Sequence, residues 1–204
     1  MEPARDRLIA AAISLVAERG CEQVTAGTIA ARAGLTTGEF GRHFSSADDC
    51  LRGAFEAVCD RFDRQLLPIY LRPAPWRERM RAAARATVDF CRDHEEQVSF
   101  AIGEKLRHPS HAQGERSLRL HLEEIESGRQ ELPAAERVPA SATEFAVGCF
   151  LERAKTCHSR GELAQLERWL PDLMYSVTDA FLGPVVAEEE MRSMQGELAP
   201  DAEV

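Results

Sequence analysis

Apolar residues recur at helical spacing along almost the whole chain, and no stretch alternates apolar with polar as a strand does. This periodicity leaves an all-α fold as the only class the chain can satisfy. Leu8, Ile9, Ala12, Ile13 and Val16 form the first stripe, which predicts a helix over about 4–19 that Gly20 ends with a left-handed cap. Thr25 can cap a short second helix through Ile29, Ala30 and Arg32, stopped by Gly34. Thr36 can cap a third, running to Phe44. Asp48 and Asp49 suit the positive end of a fourth, long helix over about 47–67, carrying Leu51, Phe55, Val58, Phe62 and Leu66. Pro68, Pro73 and Pro75 are expected to break it.

Helical spacing continues over 76–93, 95–107 and 114–129, with breaks expected at His94, at HPSH and at a glycine. ELPAAERVPAS at 131–141 reads as a loop, followed by helices over 141–159 and 162–182 that Gly183 and Pro184 close. Residues 184–204 hold six carboxylates against Arg192 and read as a mobile acidic tail. The division expected is a three-helix N-terminal domain at 1–51, a second helical domain at 52–183, and the tail.

Composition narrows the function classes. A chain of 204 residues needs no disulfide or metal to bury a core. Its six cysteines contain no CxxC pair, His108 and His111 find no completing ligand set, and no metal site or cofactor is signalled. Nucleophile-elbow, P-loop and HExxH spacings are all missing, which argues against an enzyme. No apolar run approaches a membrane span, and MEPARDR leads into an amphipathic segment with Arg5, Asp6, Glu18 and Arg19 instead of a signal-peptide core. The expectation is a cytoplasmic protein.

Chemistry concentrates in AARAGLTTGEFGRHFSS, residues 30–46. A helix-turn-helix needs small residues where two helices meet, a tight turn, and a second helix with one packing face and one reading face. Ala30, Gly34 and Leu35 meet the first demand. Phe40 and Phe44, four apart, can bury together, which leaves Thr36, Thr37, Glu39, Arg42 and His43 outward, with Thr25 at the head of the preceding helix. Such groups suit DNA: hydroxyls reach phosphates, arginine can bond guanine bidentately, and glutamate can accept from cytosine. Plain packing of a helical hairpin produces the same pattern.

The order of these parts resembles the TetR family of transcriptional regulators over residues 5–55. Thr25, Ile29, Ala30, Ala33, Gly34, Thr36, Thr37, Gly38, Phe40, Phe44, Asp48 and Asp49 carry the resemblance. It implies a DNA-binding regulator, most often a repressor, that reads an inverted-repeat operator in double-stranded DNA as a homodimer and answers a small-molecule effector. The dimer would form through the helices at 141–159 and 162–182, whose Phe145, Phe150, Leu163, Leu166, Leu170, Met174, Val177 and Phe181 cover more than one face. The effector would sit among the middle helices, with Phe62, Phe90, Phe100, Glu104, Phe145 and Cys149 as candidate ligand-binding residues. Ordinary core packing is the competing reading for these aromatics.

Two departures weaken the DNA-binding expectation. Where the family commonly places a phosphate-contacting tyrosine this chain has Gly41, and where a lysine commonly opens the fourth helix it has Ala47. The chain's net charge is −9, and residues 1–51 hold five arginines against seven carboxylates. Counterion release from phosphate contacts drives non-specific affinity, and few cations are present to supply it. The alternative is therefore a TetR-like helical scaffold that has lost DNA binding and serves as a small-molecule or protein interaction module.

Overall fold

A computed structural model describes residues 3–108, 111–131, 138–139 and 141–198. Among them every regular element is helical, as the periodicity requires. The chain divides into two compact units, Met1–Arg61 with His94–Glu115 and Phe62–Asp93 with Arg116–Val204.

The first unit opens with α1 (Ala4–Arg19), which buries Leu8, Ile9, Ala11, Ala12, Ile13 and Leu15. Gly20 ends it at φ 76°, but its ψ of 160° is extended, not the left-handed helical cap expected. A 3-10 turn at Cys21–Gln23 leads to α2 (Ala26–Arg32), and α3 (Thr37–Phe40) follows after the turn at Gly34. The third helix is shorter than the predicted 36–44. Beyond Phe40 the amides of Arg42 and His43 bond three residues back, to Glu39 and Phe40, and Phe44 alone returns to a four-residue bond. Gly41 sits where the helix tightens, consistent with its low helix propensity. The start of α4 (Ala47–Tyr70) and α6 (Glu95–Arg107) complete the unit, with α6 packed on α1.

In the second unit, α4 runs past Pro68 to Tyr70, so the expected break comes three residues late. Proline in a last turn removes one ladder bond without stopping the helix at once. The unit continues with α5 (Trp76–Asp93), most of α7 (Ala112–Glu126), α8 (Gly128–Glu131), α9 (Ala142–Arg160), α10 (Leu170–Leu182) and α11 (Pro184–Leu198). Of the loop expected at 131–141, residues 132–137 and 140 lie outside the described residues, as do 109–110 of HPSH. The single helix predicted at 162–182 is instead a 3-10 segment, Leu163–Trp169, followed by α10. Pro171 in the first turn of α10 explains the change, because proline is favoured at a helix start and removes a ladder bond from any helix that would run through it.

Residues 184–198 of the expected mobile tail form α11, which packs along α10; residues 199–204 lie outside the described residues. Ala187, Glu190 and Met194 recur at helical spacing and are fully buried. Glu190 accepts from Arg77 and from Arg81 of α5, the second through Nη2 at 2.8 Å. The charges that suggested a solvated tail thus include one that anchors the helix.

This unit's core joins Leu66, Tyr70, Trp76, Met80, Val88, Leu170, Met174, Val177, Phe181 and Met194. The α10 stripe read as partly partner-facing is consequently taken up at home, with Leu170 and Met174 each 1% exposed. Large apolar exposure on α9 is instead at Phe145, 74% exposed, and Leu151, 41%.

Candidate nucleic-acid interface

The first unit assembles the helix-turn-helix from local bonds. Thr25 caps α2: its hydroxyl accepts from the Thr28 amide at 3.2 Å, and the Thr25 amide donates to the Thr28 hydroxyl at 2.9 Å. Thr36 caps α3 in the same reciprocal way with Glu39. Between them Gly34, at φ 64°, lets the Leu35 amide reach the Ala30 carbonyl at 2.9 Å and its own amide reach Ala31 at 3.1 Å. This paired closure needs a left-handed residue, which glycine adopts without strain. The Arg7 side chain donates to the carbonyls of Ala33 and Gly34, fixing the turn to α1.

Below the reading surface Phe40 and Phe44 are buried with ring centroids 5.9 Å apart, and the Arg5 guanidinium lies 5.4 Å from the Phe44 ring centre. Gly53 of α4 allows this packing: a Cβ there would meet Phe44 Cε1 at 2.9 Å. The α4 start is held by Asp49, whose carboxylate accepts from the Ser45 amide at 2.8 Å and hydroxyl at 2.9 Å. Those bonds hold its carboxyl below the usual range.

Of the six residues expected to face DNA, Thr25, Thr36, Thr37, Arg42 and His43 are exposed on this frame. Glu39 is half-buried and committed to the cap: its carboxylate accepts from the Thr36 amide and hydroxyl, each at 2.8 Å. The Thr36 bonds keep it ionised, well suited to the helix terminus and poorly placed to accept from a base. Two further arginines are engaged within the unit, Arg32 by Glu18 at 2.6 Å and Arg52 by Asp49 at 2.5 Å. Arg5, Arg7 and Thr28 escaped the sequence reading. Thr28, three residues after a threonine cap, was the one with a legible signal.

The six candidate effector residues do not form one set. Phe100 and Glu104 belong to the first unit, where Glu104 is buried and bonds Arg107 at 3.1 Å. Phe62, Phe90, Phe145 and Cys149 belong to the second, and Phe145 and Cys149 are exposed on α9. Phe62 and Phe90 meet edge to face at 5.1 Å. None of the six lines either of two clefts in the second unit, one of about 650 Å³ flanked by Asp172, Tyr175 and Glu188, the other of about 290 Å³ along α5.

Beside Phe62 lies a buried polar group that was not foreseen. Asp63 accepts from the Ser117 hydroxyl at 2.5 Å and from His121 Nε2 at 3.1 Å, while Tyr70 Oη lies 3.2 Å from His121 Nδ1. Burial lowers the His121 pKa against the pull of Asp63, and burial pushes the Tyr70 phenol up. The neutral imidazole with its proton on Nε2 satisfies every bond, with Tyr70 donating to Nδ1. Ser117 and His121 stand four apart on one face of α7, which is the signal that could have exposed them.

An exposed, doubly capped helix-turn-helix, in a chain whose described elements are all helical, defines the class: a helix-turn-helix protein. Residues 8–54 match the family model of bacterial regulatory proteins of the tetR family. No curated protein sequence matches the chain. Solved structures share the fold over most of its length. SmeT, the repressor of the Stenotrophomonas maltophilia multidrug efflux pump SmeDEF, aligns with a TM-score of 0.71 at 20% identity, covering 87% of this chain and 89% of its own. A putative tetR family transcription regulator from Shewanella sp. PV-4 gives 0.68 at 17%, covering 88% and 98%. The fatty acid degradation regulator FadR from Bacillus halodurans gives 0.63 at 17%, covering 98% of each.

Proposed function

We propose that the protein is a regulator of the TetR family, a homodimeric, ligand-responsive repressor that reads an inverted repeat in double-stranded DNA. The observation that carries the reading is the exposure of Thr36, Thr37, Arg42 and His43 on one rigidly capped element, positioned by Gly34 and Arg7. Arg42 would supply direct base readout and the threonine hydroxyls would contact phosphate. The domain at 1–51 is the reading head in this proposal, and 52–183 carries effector response and dimerisation. Exposed Phe145 and Leu151 on α9 support a dimer face there, since large apolar side chains at 74% and 41% exposure are costly to leave in water. SmeT is the repressor of a multidrug efflux pump, and repression here is proposed by that likeness. An effector would act beside Phe62 and Phe90 only by opening the buried network of Asp63, Ser117, His121 and Tyr70, whose polar groups bond one another in its absence.

Selection of bound fragments from genomic DNA, at low and at physiological salt, tests the reading. Enrichment of an inverted repeat is the expected result. A second reading, the scaffold without DNA binding, is favoured by a specific observation: Arg32, Arg52 and Glu39 are all committed to partners within the unit. Failure to enrich any fragment at low salt would select that reading.

A further inference from the structure

The about 290 Å³ cleft along α5 is lined by Arg72, Ala74, Glu78, Arg79, Arg81, Ala82 and Arg85. Four guanidiniums thus face one lining carboxylate in a chain whose net charge is −9. Three of them are held in place, Arg85 by its Nη2 against the Met194 sulfur at 3.9 Å. Arg79 donates through Nη1 to the Ala74 carbonyl at 2.7 Å and through Nη2 to Glu131 at 2.5 Å. Arg81 is oriented by Glu190, at 2.8 Å through Nη2. Even with Glu131 and Glu190 counted, cations outnumber carboxylates around the cleft.

The second observation comes from Arg79 itself. Its side chain is nine-tenths buried, 10% exposed, yet its Nε–H is buried with no hydrogen-bond partner. A buried donor left unmade costs free energy that folding recovers only if something accepts from it. That donor is sealed from the cleft as the side chain stands, so an anion gains it only by drawing the Arg79 guanidinium outward. The cleft also lies beside the first turn of α5, whose dipole favours negative charge there.

We propose that this cleft binds the phosphate group of a small phosphorylated metabolite. Phosphate suits the site better than a single carboxylate, because four arginines line it and a phosphate offers oxygens in three dimensions together with close to two charges. The cleft has room for about ten non-hydrogen atoms at the roughly 30 Å³ each that liquid water occupies, which fits a phosphate and a short carbon skeleton. Arg81 links the cleft to Glu190 and so to α11, which gives an occupying anion a route to loosen that helix by competing for the guanidinium. The site stands independently of DNA binding, since none of its residues belongs to the reading head.

The test is calorimetric titration of the full chain with inorganic pyrophosphate at 0.15 M salt, with succinate as a dicarboxylate comparison, alongside melting curves. Pyrophosphate is expected to bind with a dissociation constant of about 0.1–1 mM. Arg79→Gln and Arg72→Gln are each expected to weaken binding about tenfold, while Arg92→Gln, exposed on α5 outside the cleft, leaves it unchanged. Arg72 is exposed, so its variant decides the matter if Arg79→Gln does not fold. Absence of binding at about 10 mM pyrophosphate overturns the proposal. Equal weakening by Arg92→Gln overturns it too, by showing a diffuse charge effect, and succinate binding as tightly as pyrophosphate overturns the phosphate assignment.

Discussion

Replacing Glu190 by glutamine tests whether α11 is a structural element whose stability depends on one buried charge. The carboxylate is fully buried and faces Arg77 and Arg81, which are 31% and 30% exposed. Glutamine keeps the shape and one acceptor oxygen but leaves two guanidiniums against a neutral amide. Removing one partner of a buried pair costs about 3–5 kcal/mol, and because both arginines can still reach water the lower end applies, about 3 kcal/mol. For a chain of this size that corresponds to a fall in melting temperature of roughly 6–12 °C. Burial pushes the Glu190 carboxyl up, but the hydrogen bonds from Arg81 and Arg77 outweigh it and the pKa is lowered from 4.5. A depressed carboxylate contributes stability that is fully present above its unfolded value and lost as pH falls through its folded one. The gap between wild type and Glu190→Gln, followed by urea unfolding with circular dichroism, should therefore be constant from pH 6 to 8 and shrink below about pH 4.5. A loss under about 0.5 kcal/mol at pH 7, or a gap that widens in acid, would refute the reasoning.

Gly53→Ala would ordinarily stabilise a helix, but here the new Cβ lies 2.9 Å from the Phe44 ring, so we expect a loss of about 1–3 kcal/mol; a melting temperature at or above wild type would contradict this packing. Arg42→Ala should cost about 1–3 kcal/mol of operator affinity and relax preference at one base pair per half-site, and equal weakening on every sequence in a gel-shift series would deny it a reading role. Gly41→Tyr with Ala47→Lys should tighten DNA binding and steepen its salt dependence. A Cβ at Gly41 meets only ordinary contact, 3.5 Å from the Thr37 carbonyl, so an unchanged salt slope would count against phosphate contacts from these positions. Phe145→Asp should yield a folded monomer in sedimentation velocity because that side chain is already 74% exposed; a wild-type monomer at micromolar concentration would remove the dimer from the proposal.

Much of the helix-turn-helix was legible because its bonds are local. Thr25 with Thr28, Thr36 with Glu39, and the turn at Gly34 are each closed within five residues, a range over which residue type and spacing carry the geometry. The burial of Phe40 with Phe44 follows in the same way from one helical turn. Helix ends were harder. Gly41 and Pro171 altered pitch or started an element that apolar periodicity alone ran through, since periodicity reports which face is buried and not whether the backbone ladder is continuous. What tertiary structure alone decided is the fate of charge and of large apolar side chains far apart in sequence. Glu190 lies 113 residues from Arg77, and no local rule distinguishes it from solvated Glu188 and Glu189 until α11 packs and water is excluded. Asp63 meets Ser117 and His121 across 54 and 58 residues. Phe145 and Met174 looked alike as apolar positions on the last helices, yet one is exposed and the other buried, because only the packing of α5, α10 and α11 determines which apolar stripe the subunit covers by itself.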